Sequence, residues 1–220
     1  IPSSTVTLCN QVCRYDFFFV QILTYPALRA VPHLPLSRNR KGPSRMILTS
    51  APTLESDRLI LRSPETRDIE TVITFLQDKT RAKGFGHIPE RGNAWRWFAA
   101  MVGHWHIRGY GYFTIETKSG DIAGISGIWY PETWPEPEVG YVVFDGFEGQ
   151  SIAYEAASRA RRWAYEDLGL TTLTSNIAPE NIRSRRLADR MGAIHEKTYK
   201  NSYANQDVML YRHPGPEAVL

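Results

Sequence analysis

The most regular pattern of apolar and polar positions lies in residues 138–168. Residues 138–144 alternate two sets of side chains, which is typical of a strand with two different faces. Residues 152–168 then repeat small apolar side chains at helical spacing. The members of this stripe are Ile152, Ala153, Ala156, Ala157, Ala160, Trp163, Ala164 and Leu168. Gly169 follows where a helix commonly ends. The pattern predicts a strand, a short turn and an amphipathic helix.

The remaining elements are predicted from Thr53 onwards. A helix is expected after the first strand, with Ser63 as its cap and Pro64 at its first position. Two further helices are predicted over 93–109 and 179–191. The other strands are predicted over 55–63, 111–117, 121–130, 171–177, 193–201 and 206–213. Residues after His213 are expected to form a frayed tail. This order predicts an α/β (α+β) fold, in which a mixed sheet of about seven strands has helices on both faces.

The first 45 residues differ from the rest. They combine a short apolar and aromatic stretch with several prolines and a basic run, a composition typical of linkers. The first methionine, Met46, stands just before the regular pattern. We expect residues 1–45 to be either translated upstream sequence, with Met46 as the true start, or a poorly ordered extension. The folded domain is expected over 46–220.

Charge and cysteine content exclude several classes of protein. Of the 26 Lys and Arg, six lie in 1–45 beside a single acid, so that 20 bases face 22 acids in 46–220. The slightly acidic domain does not predict nucleic-acid binding. Both cysteines, Cys9 and Cys13, lie in the first segment. The domain therefore has no disulfide, thiolate zinc site or cysteine nucleophile. No apolar run is long enough to span a membrane, and a cytoplasmic protein is expected.

The turn before the helix at 152 carries the first chemical signal. A helix N-terminus presents unpaired backbone N–H groups and a partial positive charge. Such an end binds anions, above all phosphates. On the turn and helix alone, a connection without any ligand is an equally good interpretation.

Three separate segments together resemble the GNAT superfamily of N-acetyltransferases. They are RLILRS near the start, the stretch from Glu138 to Leu173, and the Asn-x-x-Ser…Gly pattern from Asn181 to Gly192. The closer resemblance is to the branch of ribosomal-protein N-terminal acetyltransferases (RimJ/RimL-like), over roughly residues 53–213. It implies a mostly antiparallel sheet and acetyl-CoA as the co-substrate.

The resemblance also assigns the donor site. It implies that the backbone N–H groups of Gly149, Gln150, Ser151, Ile152 and Ala153 hold the pyrophosphate of CoA. A strand N–H among Val142, Val143 and Phe144 is implied to polarise the thioester. Asn181 either holds the pantetheine arm or only caps its helix. Arg159 or Arg183 is a weaker candidate for the nucleotide end.

The pyrophosphate loop departs from the family pattern Gln/Arg-x-x-Gly-x-Gly/Ala at two positions. Glu148 stands at the first position and places a negative charge near the expected diphosphate. Ser151 replaces the glycine at the fourth position and adds a side chain where the backbone approaches phosphate. These departures motivate a second hypothesis, in which the chain is a catalytically weakened acyl-CoA-binding or regulatory module.

A second set of departures concerns proton transfer. Many family members have a tyrosine seven residues after the motif asparagine, where this chain has Ala188. The resemblance makes Ser184 the substitute acid, although its hydroxyl can equally bond the Glu180 carbonyl. Glu138 is the candidate base, with a solvated loop acid as its alternative. We expect direct attack of an amine on acetyl-CoA, since the domain lacks a cysteine.

The acceptor is left open between a peptide N-terminus and a small amine. Glu132 and Glu136 are candidates for attracting a cationic amine, and an aromatic pocket is expected from the tryptophans, most of which have a core position as their default interpretation. Further candidates for the site are His104, His106, Tyr130 and Tyr203. Two histidines at i,i+2 do not share a helix face, so no metal is predicted. A monomer or homodimer is expected, without nucleic-acid or membrane partners.

Overall fold

A computed structural model describes residues 51–132, 134–201 and 206–220 of the chain. The expectations for residues 1–45, Met46, Tyr203 and the turn over 202–205 lie outside these ranges. No helix within the described ranges is long and apolar enough to cross a membrane.

The described chain forms eight strands and four α-helices. The strands are β1 (Leu54–Glu55), β2 (Leu59–Arg62), β3 (Tyr112–Thr117), β4 (Ile122–Trp129), β5 (Glu138–Val143), β6 (Thr174–Ile177), β7 (Ile194–Asn201) and β8 (Gln206–Arg212). The helices are α1 (Ile69–Gln77), α2 (Arg91–Arg108), α3 (Ile152–Glu166) and α4 (Ile182–Arg190). Short 3-10 turns occupy Thr66–Asp68, Ala82–Gly84 and Pro216–Ala218.

All strands belong to one sheet in the order β1-β2-β3-β4-β5-β6-β8-β7. The β5–β6 pair is parallel, and the other pairs are antiparallel. The predicted mixed, mostly antiparallel sheet is therefore confirmed. It has eight strands instead of about seven, because the predicted strand over 55–63 is split. A turn closed by the Ser56 N–H and the Leu59 carbonyl, 3.0 Å apart, folds β1 back onto β2.

Helices cover both faces of the sheet, as predicted. Helices α1 and α2 pack on one face over a core that includes Val72, Leu76 and Ile125. Helix α3 packs on the other face over Leu59, Leu61 and Phe113. The predicted stripe of α3 faces this second core, with Ala153 and Leu168 only partly buried. Small residues allow α3 to approach the sheet closely and so fix where its N-terminus lies.

The first helix begins later than predicted. A 3-10 turn follows Glu65, and α1 begins only at Ile69. The cause is Asp68, whose carboxylate is fully buried and accepts hydrogen bonds of 2.8 Å from Arg62 and Glu65 and 2.7 Å from Thr114. These contacts across the sheet outweigh the local signal of Ser63 and Pro64. A short stretch of sequence cannot reveal these contacts, because they join residues from different elements.

The expectation of a frayed C-terminal tail is wrong. The Tyr165 hydroxyl of α3 donates to the Pro214 carbonyl at 2.8 Å. Residues Pro216–Ala218 form a 3-10 turn, and Val219 packs against the core under α3. The tail therefore packs against the C-terminal half of α3.

Candidate active site

Strands β5 and β6 are paired at one end only. Their ladder consists of Glu138 opposite Thr174, and the Ser175 hydroxyl closes the same end by donating to the Val139 carbonyl at 2.8 Å. Between these two described strands no further ladder pair follows. The gap beside Gly140–Val143, which we name the strand opening, leaves the backbone of β5 without a strand partner on that side.

One backbone N–H of β5 is directed to the strand opening near its wide end. The N–H of Phe144 donates to the Ala123 carbonyl of β4 at 2.8 Å. Because N–H groups alternate between the two edges of a strand, that of Val142 also faces β4 and that of Val143 faces the opening. Val142 and Phe144 instead contribute buried side chains to the core under α1. Of the three predicted donors, Val143 is therefore the one with an available N–H.

The loop between β5 and α3 contains three residues with left-handed backbone, the first of which is Gly146 with φ of 82°. Gly149 has φ of 75° and Ser151 has φ of 60°, and Ser151 is the only non-glycine residue with positive φ in the described chain. No side chain caps the N-terminus of α3. The N–H groups of Ile152 and Ala153 in its first turn are thus available to an anion. Gln150 is tied back by its side chain, which donates to the Gly146 carbonyl at 2.8 Å.

The charge of Glu148 is compensated by a distant residue. Arg81, in the connection between α1 and α2, forms ion pairs with both Glu148 and Asp145. These contacts raise the pKa of Arg81 above its ordinary value, the bond to Glu148 being the largest cause. The first departure from the loop pattern is therefore an acid that brings an arginine to the loop.

The hydroxyl of Ser151 is also bound by an arginine. Arg190, the last residue of α4, donates to this hydroxyl at 3.0 Å. Its guanidinium lies 4.0 Å from the ring centroid of Tyr154 in the first turn of α3. The second departure thus links the start of α3 to the end of α4 and holds a cation beside the available N–H groups.

Asn181 and Ser184 lie on the other side of the strand opening, at the start of α4. Asn181 caps the helix by accepting from the Ser184 N–H at 3.2 Å, and its amide also reaches the Gly84 carbonyl at 3.4 Å. The Ser184 carbonyl accepts a 3.1 Å bond from the Tyr141 hydroxyl of β5. Among the bonds of the described residues, none joins the Ser184 hydroxyl to the Glu180 carbonyl.

Glu138 lies at the closed end of the strand opening and is 8% exposed. Its carboxylate accepts from the side-chain and backbone N–H groups of Asn176, at 2.8 and 3.3 Å. Burial raises the pKa of Glu138 from 4.5 to about 6, against the lowering effect of Asn176 and of the nearby Trp134 indole. The interpretation of Glu138 as a solvated loop acid is therefore wrong, because the carboxylate is buried and bonded to β6.

An aromatic cluster covers the same face of the sheet beside Glu138. Trp129, the strand partner of Glu138, stacks on Tyr112 with ring centroids 5.0 Å apart and on His104 with centroids 4.3 Å apart. Trp97 extends this cluster, with its centroid 6.2 Å from that of Trp129. The structure thus combines a buried carboxylate with flat apolar rings, which suits an amine that carries an apolar group.

The acids of the preceding loop are paired and do not form a free anionic mouth. Glu136 receives a two-pronged contact from Arg212, at 2.5 and 2.8 Å. Glu132 lies 3.3 Å from Arg108, whose guanidinium also covers the Tyr130 ring at 4.8 Å. The expectation that Glu132 and Glu136 attract a cationic amine is therefore not supported, since both carry an arginine already.

Comparison with known proteins decides the family. Residues 58–194, more than half of the chain, match the acetyltransferase (GNAT) domain. The chain belongs to the GNAT acetyltransferase family. The prediction of an acetyl-CoA-dependent N-acetyltransferase is thereby confirmed.

Solved structures agree with this assignment. An acetyltransferase from Agrobacterium tumefaciens is 30% identical with a TM-score of 0.66, and the match covers 80% of this chain and 99% of that chain. RimL, a ribosomal L7/L12 alpha-N-protein acetyltransferase in complex with coenzyme A, is 15% identical with a TM-score of 0.62. That match covers 75% of this chain and 99% of RimL. A spermidine N-acetyltransferase from Vibrio cholerae, in complex with CoA and spermine, is 15% identical with a TM-score of 0.63. That match covers 74% of this chain and 99% of the spermidine enzyme. The last two show a shared fold.

In this GNAT domain the predicted residues lie along one strand and at the starts of the two helices beside it. Glu138 and Val143 lie on β5, Ser151 to Ala153 begin α3, and Asn181 and Ser184 begin α4. Other candidates lie elsewhere. Arg159 donates to the Glu55 carbonyl at 3.0 Å, on the far side of α3, and Arg183 is exposed on α4.

Two histidines of the GNAT domain have structural roles. His104 is buried, with its Nδ1 2.6 Å from the Tyr110 carbonyl and its Nε2 accepting from the Tyr130 N–H at 3.0 Å. Burial lowers its pKa, so it stays neutral and both its nitrogens are used. His106 is exposed. Within the described chain no group of three or more His, Cys, Asp or Glu side chains can hold a metal ion.

A buried serine–histidine pair in the same domain is not a catalytic dyad. His213 Nε2 lies 2.9 Å from the Ser175 hydroxyl, and its Nδ1 lies 3.1 Å from Arg161. Because the guanidinium can only donate, Nδ1 is the acceptor and Nε2 carries the proton. Burial lowers the pKa of His213 to about 3. The imidazole therefore donates to Ser175 and fixes the closed end of the strand opening.

Sequence reasoning missed four residues around the candidate site: Arg81, Asn176, Arg190 and Tyr199, whose hydroxyl donates to Asn176 Oδ1 at 2.9 Å. Each comes from an element that is distant in sequence from its partner, and none belongs to a short motif. The one available signal was the acid at Glu148, since an acid near an expected phosphate calls for a nearby cation.

Proposed function

We propose that this domain transfers the acetyl group of acetyl-CoA to a primary amine by direct attack within a ternary complex. The observation that carries the proposal is the position of Glu138. Its buried carboxylate has no cationic partner among the described residues, and it lies on the strand that leads directly to the pyrophosphate loop. A base and an anion-binding loop thus stand at opposite ends of one strand.

The donor is held at the wide end of the strand opening. The N–H groups from Gly149 to Ala153 receive the diphosphate, and Arg190 and Arg81 add positive charge beside it. The N–H of Val143 donates to the thioester oxygen, where negative charge develops in the transition state. Asn181 borders the pantetheine arm while it caps α4.

Glu138 accepts the proton of the acceptor amine, directly or through one water. An alkylamine is mostly protonated at neutral pH, so a base is needed to produce the nucleophile. With its pKa raised to about 6, Glu138 is ionised at neutral pH and more basic than an exposed carboxylate. The amine nitrogen then forms a bond to the acetyl carbon as the carbon–sulfur bond breaks.

Ser184 supplies a proton to the departing thiolate, and solvent restores the proton to the hydroxyl. The residue lies in the first turn of α4, and the Tyr141 hydroxyl from β5 binds its carbonyl. This contact holds the start of α4 against the strand opening. Supporting the role, the hydroxyl is not bonded to the Glu180 carbonyl.

The acceptor is either a peptide N-terminus or a small amine. The structural relatives include proteins of both kinds, a ribosomal-protein acetyltransferase and a spermidine acetyltransferase. The paired state of Glu132 and Glu136 favours an acceptor with one amine over one with several, because these two acids already bind arginines and Glu138 does not.

Isothermal titration with acetyl-CoA and a thiol-release assay over a panel of amines test the proposal. The panel contains peptides with free N-termini, aromatic monoamines and spermidine. We expect acetyl-CoA binding and amine-dependent release of CoA. Tight binding without release on any amine would favour the alternative, a catalytically weakened acyl-CoA-binding module. Absence of binding would defeat both.

The Ser184→Ala variant tests the proposed acid. We expect turnover to fall by about 10-fold or more, while the affinity for acetyl-CoA changes little because the hydroxyl is not proposed to bind the donor. Ser158→Ala, which removes a hydroxyl from the middle of α3, is the matched control. Unchanged turnover in Ser184→Ala would remove this residue from the mechanism.

A further inference from the structure

The carboxylate of Glu138 is held by a chain of two residues that reaches across three strands. Asn176 of β6 donates to Glu138 Oε2 with its side-chain amide at 2.8 Å and its backbone N–H at 3.3 Å. The Tyr199 hydroxyl donates to Asn176 Oδ1 at 2.9 Å. Strand β8 lies between β6 and β7, so a long side chain is needed on β7 to make this contact.

From this geometry we infer that Asn176, oriented by Tyr199, is a positioning residue that keeps the Glu138 carboxylate ionised and aimed for proton transfer. The inference rests on the proposed role of Glu138 as base. Asn176 acts through Glu138 and is not proposed to touch either substrate.

The orientation of the Asn176 amide is decisive. In the observed orientation the amide nitrogen faces the carboxylate and stabilises its charge. The reversed orientation would bring Oδ1 against the carboxylate oxygen, so that two acceptors would face each other. The donor hydroxyl of Tyr199 binds Oδ1 and selects the observed orientation. Without it the amide can rotate, and the stabilisation of the carboxylate weakens.

Other groups near Glu138 do not replace this support. The titratable side chains that interact electrostatically with it are the phenols of Tyr112 on β3, Tyr141 on β5 and Tyr199 on β7. Burial raises the pKa of each phenol above 10, so all three stay neutral where Glu138 titrates. The Trp134 indole lies near the carboxylate, but its buried N–H makes no hydrogen bond with described residues. Asn176 is therefore the main donor to the charged form.

The test compares the pH dependence of kcat/KM in the wild-type protein, Asn176→Ala and Tyr199→Phe. In the wild type we expect an acid limb near pH 6. Asn176→Ala removes the side-chain donor and keeps the backbone N–H, so it favours the neutral carboxyl and moves the limb upward by about one pH unit. Tyr199→Phe moves it in the same direction by less. Activity at about pH 6 then falls several-fold in Asn176→Ala and recovers at about pH 9.

A purely structural role would lower activity equally at every pH and leave the limb in place. Tyr165→Phe, which removes a buried hydroxyl bound to Pro214 on the other face of the sheet, is the matched control and should not move the limb. As a readout independent of activity, NMR of 13C-labelled glutamate follows the Glu138 carboxyl directly. Its midpoint should rise in Asn176→Ala and, by less, in Tyr199→Phe.

The outcomes separate this inference from the proposed function. An acid limb that is present but unmoved in both variants, with an unmoved carboxyl midpoint, overturns the positioning role alone. Full activity of Glu138→Gln, or the absence of any acid limb in the wild type, overturns the role of Glu138 as base and the inference with it.

Discussion

The carboxylates at the two ends of β5 are stabilised in different ways. At the closed end, the Glu138 carboxylate is buried and is stabilised by neutral donors. At the open end, Glu148 and Asp145 are exposed and meet the cation of Arg81. A buried ion pair at Glu138 would have left a carboxylate too stable to accept a proton, whereas neutral donors leave its pKa near 6.

Neutral hydrogen-bond donors and ion pairs therefore suit different tasks. A base must change its charge during every turnover, so its environment has to tolerate both states. A loop that receives a diphosphate keeps its charge throughout, and exposed ion pairs adjust it at little cost. This contrast fits the roles that we propose, proton transfer at the closed end and donor binding at the wide end.

The largest effect that this comparison predicts is the loss of activity in Glu138→Gln. The amide has nearly the same shape and keeps an acceptor for Asn176, but it cannot take the amine proton. We expect kcat/KM to fall by about 100-fold or more at neutral pH, with little change in acetyl-CoA affinity. Steady-state kinetics with the best amine of the panel measures this.

Glu132→Gln is the control for that experiment. Its carboxylate comes from the same loop region but is 96% exposed and paired with Arg108. Its activity should stay within about twofold of wild type. Equal losses in the two variants would mean that the buried end of β5 has no special role.

The same Glu138→Gln substitution should stabilise the fold at high pH. The folded state raises the pKa of Glu138 from 4.5 to about 6, so it holds the proton more tightly than the unfolded chain does. The favourable contribution of this group is complete below about pH 4.5 and is lost as the pH rises through about 6. Above that, the buried charge costs about 2 kcal/mol.

Urea unfolding at about pH 8 should therefore show Glu138→Gln more stable than wild type by up to about 2 kcal/mol, and the gain should vanish near pH 4. A gain of the same size at both pH values would show that packing, and not charge, is responsible.

A smaller effect is expected at the open end in Arg81→Gln. This variant leaves Glu148 and Asp145 without a cation beside the proposed diphosphate site. We expect the Kd for acetyl-CoA to rise about fivefold. The double variant Arg81→Gln/Glu148→Gln should recover most of that loss. Titration calorimetry measures each Kd, and added salt should reduce the differences.

Arg91→Gln is the matched control, because it breaks an exposed pair with Glu70 at the start of α2, away from the loop. Its Kd should equal that of wild type. If Arg81→Gln leaves the affinity unchanged, the ion pair at Glu148 has no part in donor binding.

Much of this architecture could be read from the sequence because the signals are local. The alternation in 138–144 and the stripe in 152–168 predicted β5 and α3 and the loop between them. The order of elements predicted the mixed sheet. These patterns depend on which face of each element is buried, and that is visible within a short window.

The remainder depends on contacts between distant residues. The start of α1 is set by Asp68 and its bonds to Arg62 and Thr114, and the partner of Glu148 comes from Arg81. The sequence indicated Glu138 as a base but not its support, because Asn176 and Tyr199 lie on strands whose neighbours only the sheet order reveals. Glu132 and Glu136 were misjudged for the same reason.

The connection between α1 and α2 contacts both of the proposed substrate sites. Arg81 binds the pyrophosphate loop, Gly84 touches Asn181, and Phe85 packs on Trp97 with ring centroids 5.3 Å apart. The proposed donor and acceptor sites therefore share contacts with one short segment. Thermodynamic linkage then requires reciprocity: by whatever factor acetyl-CoA changes the affinity for the amine, the amine changes the affinity for acetyl-CoA by the same factor.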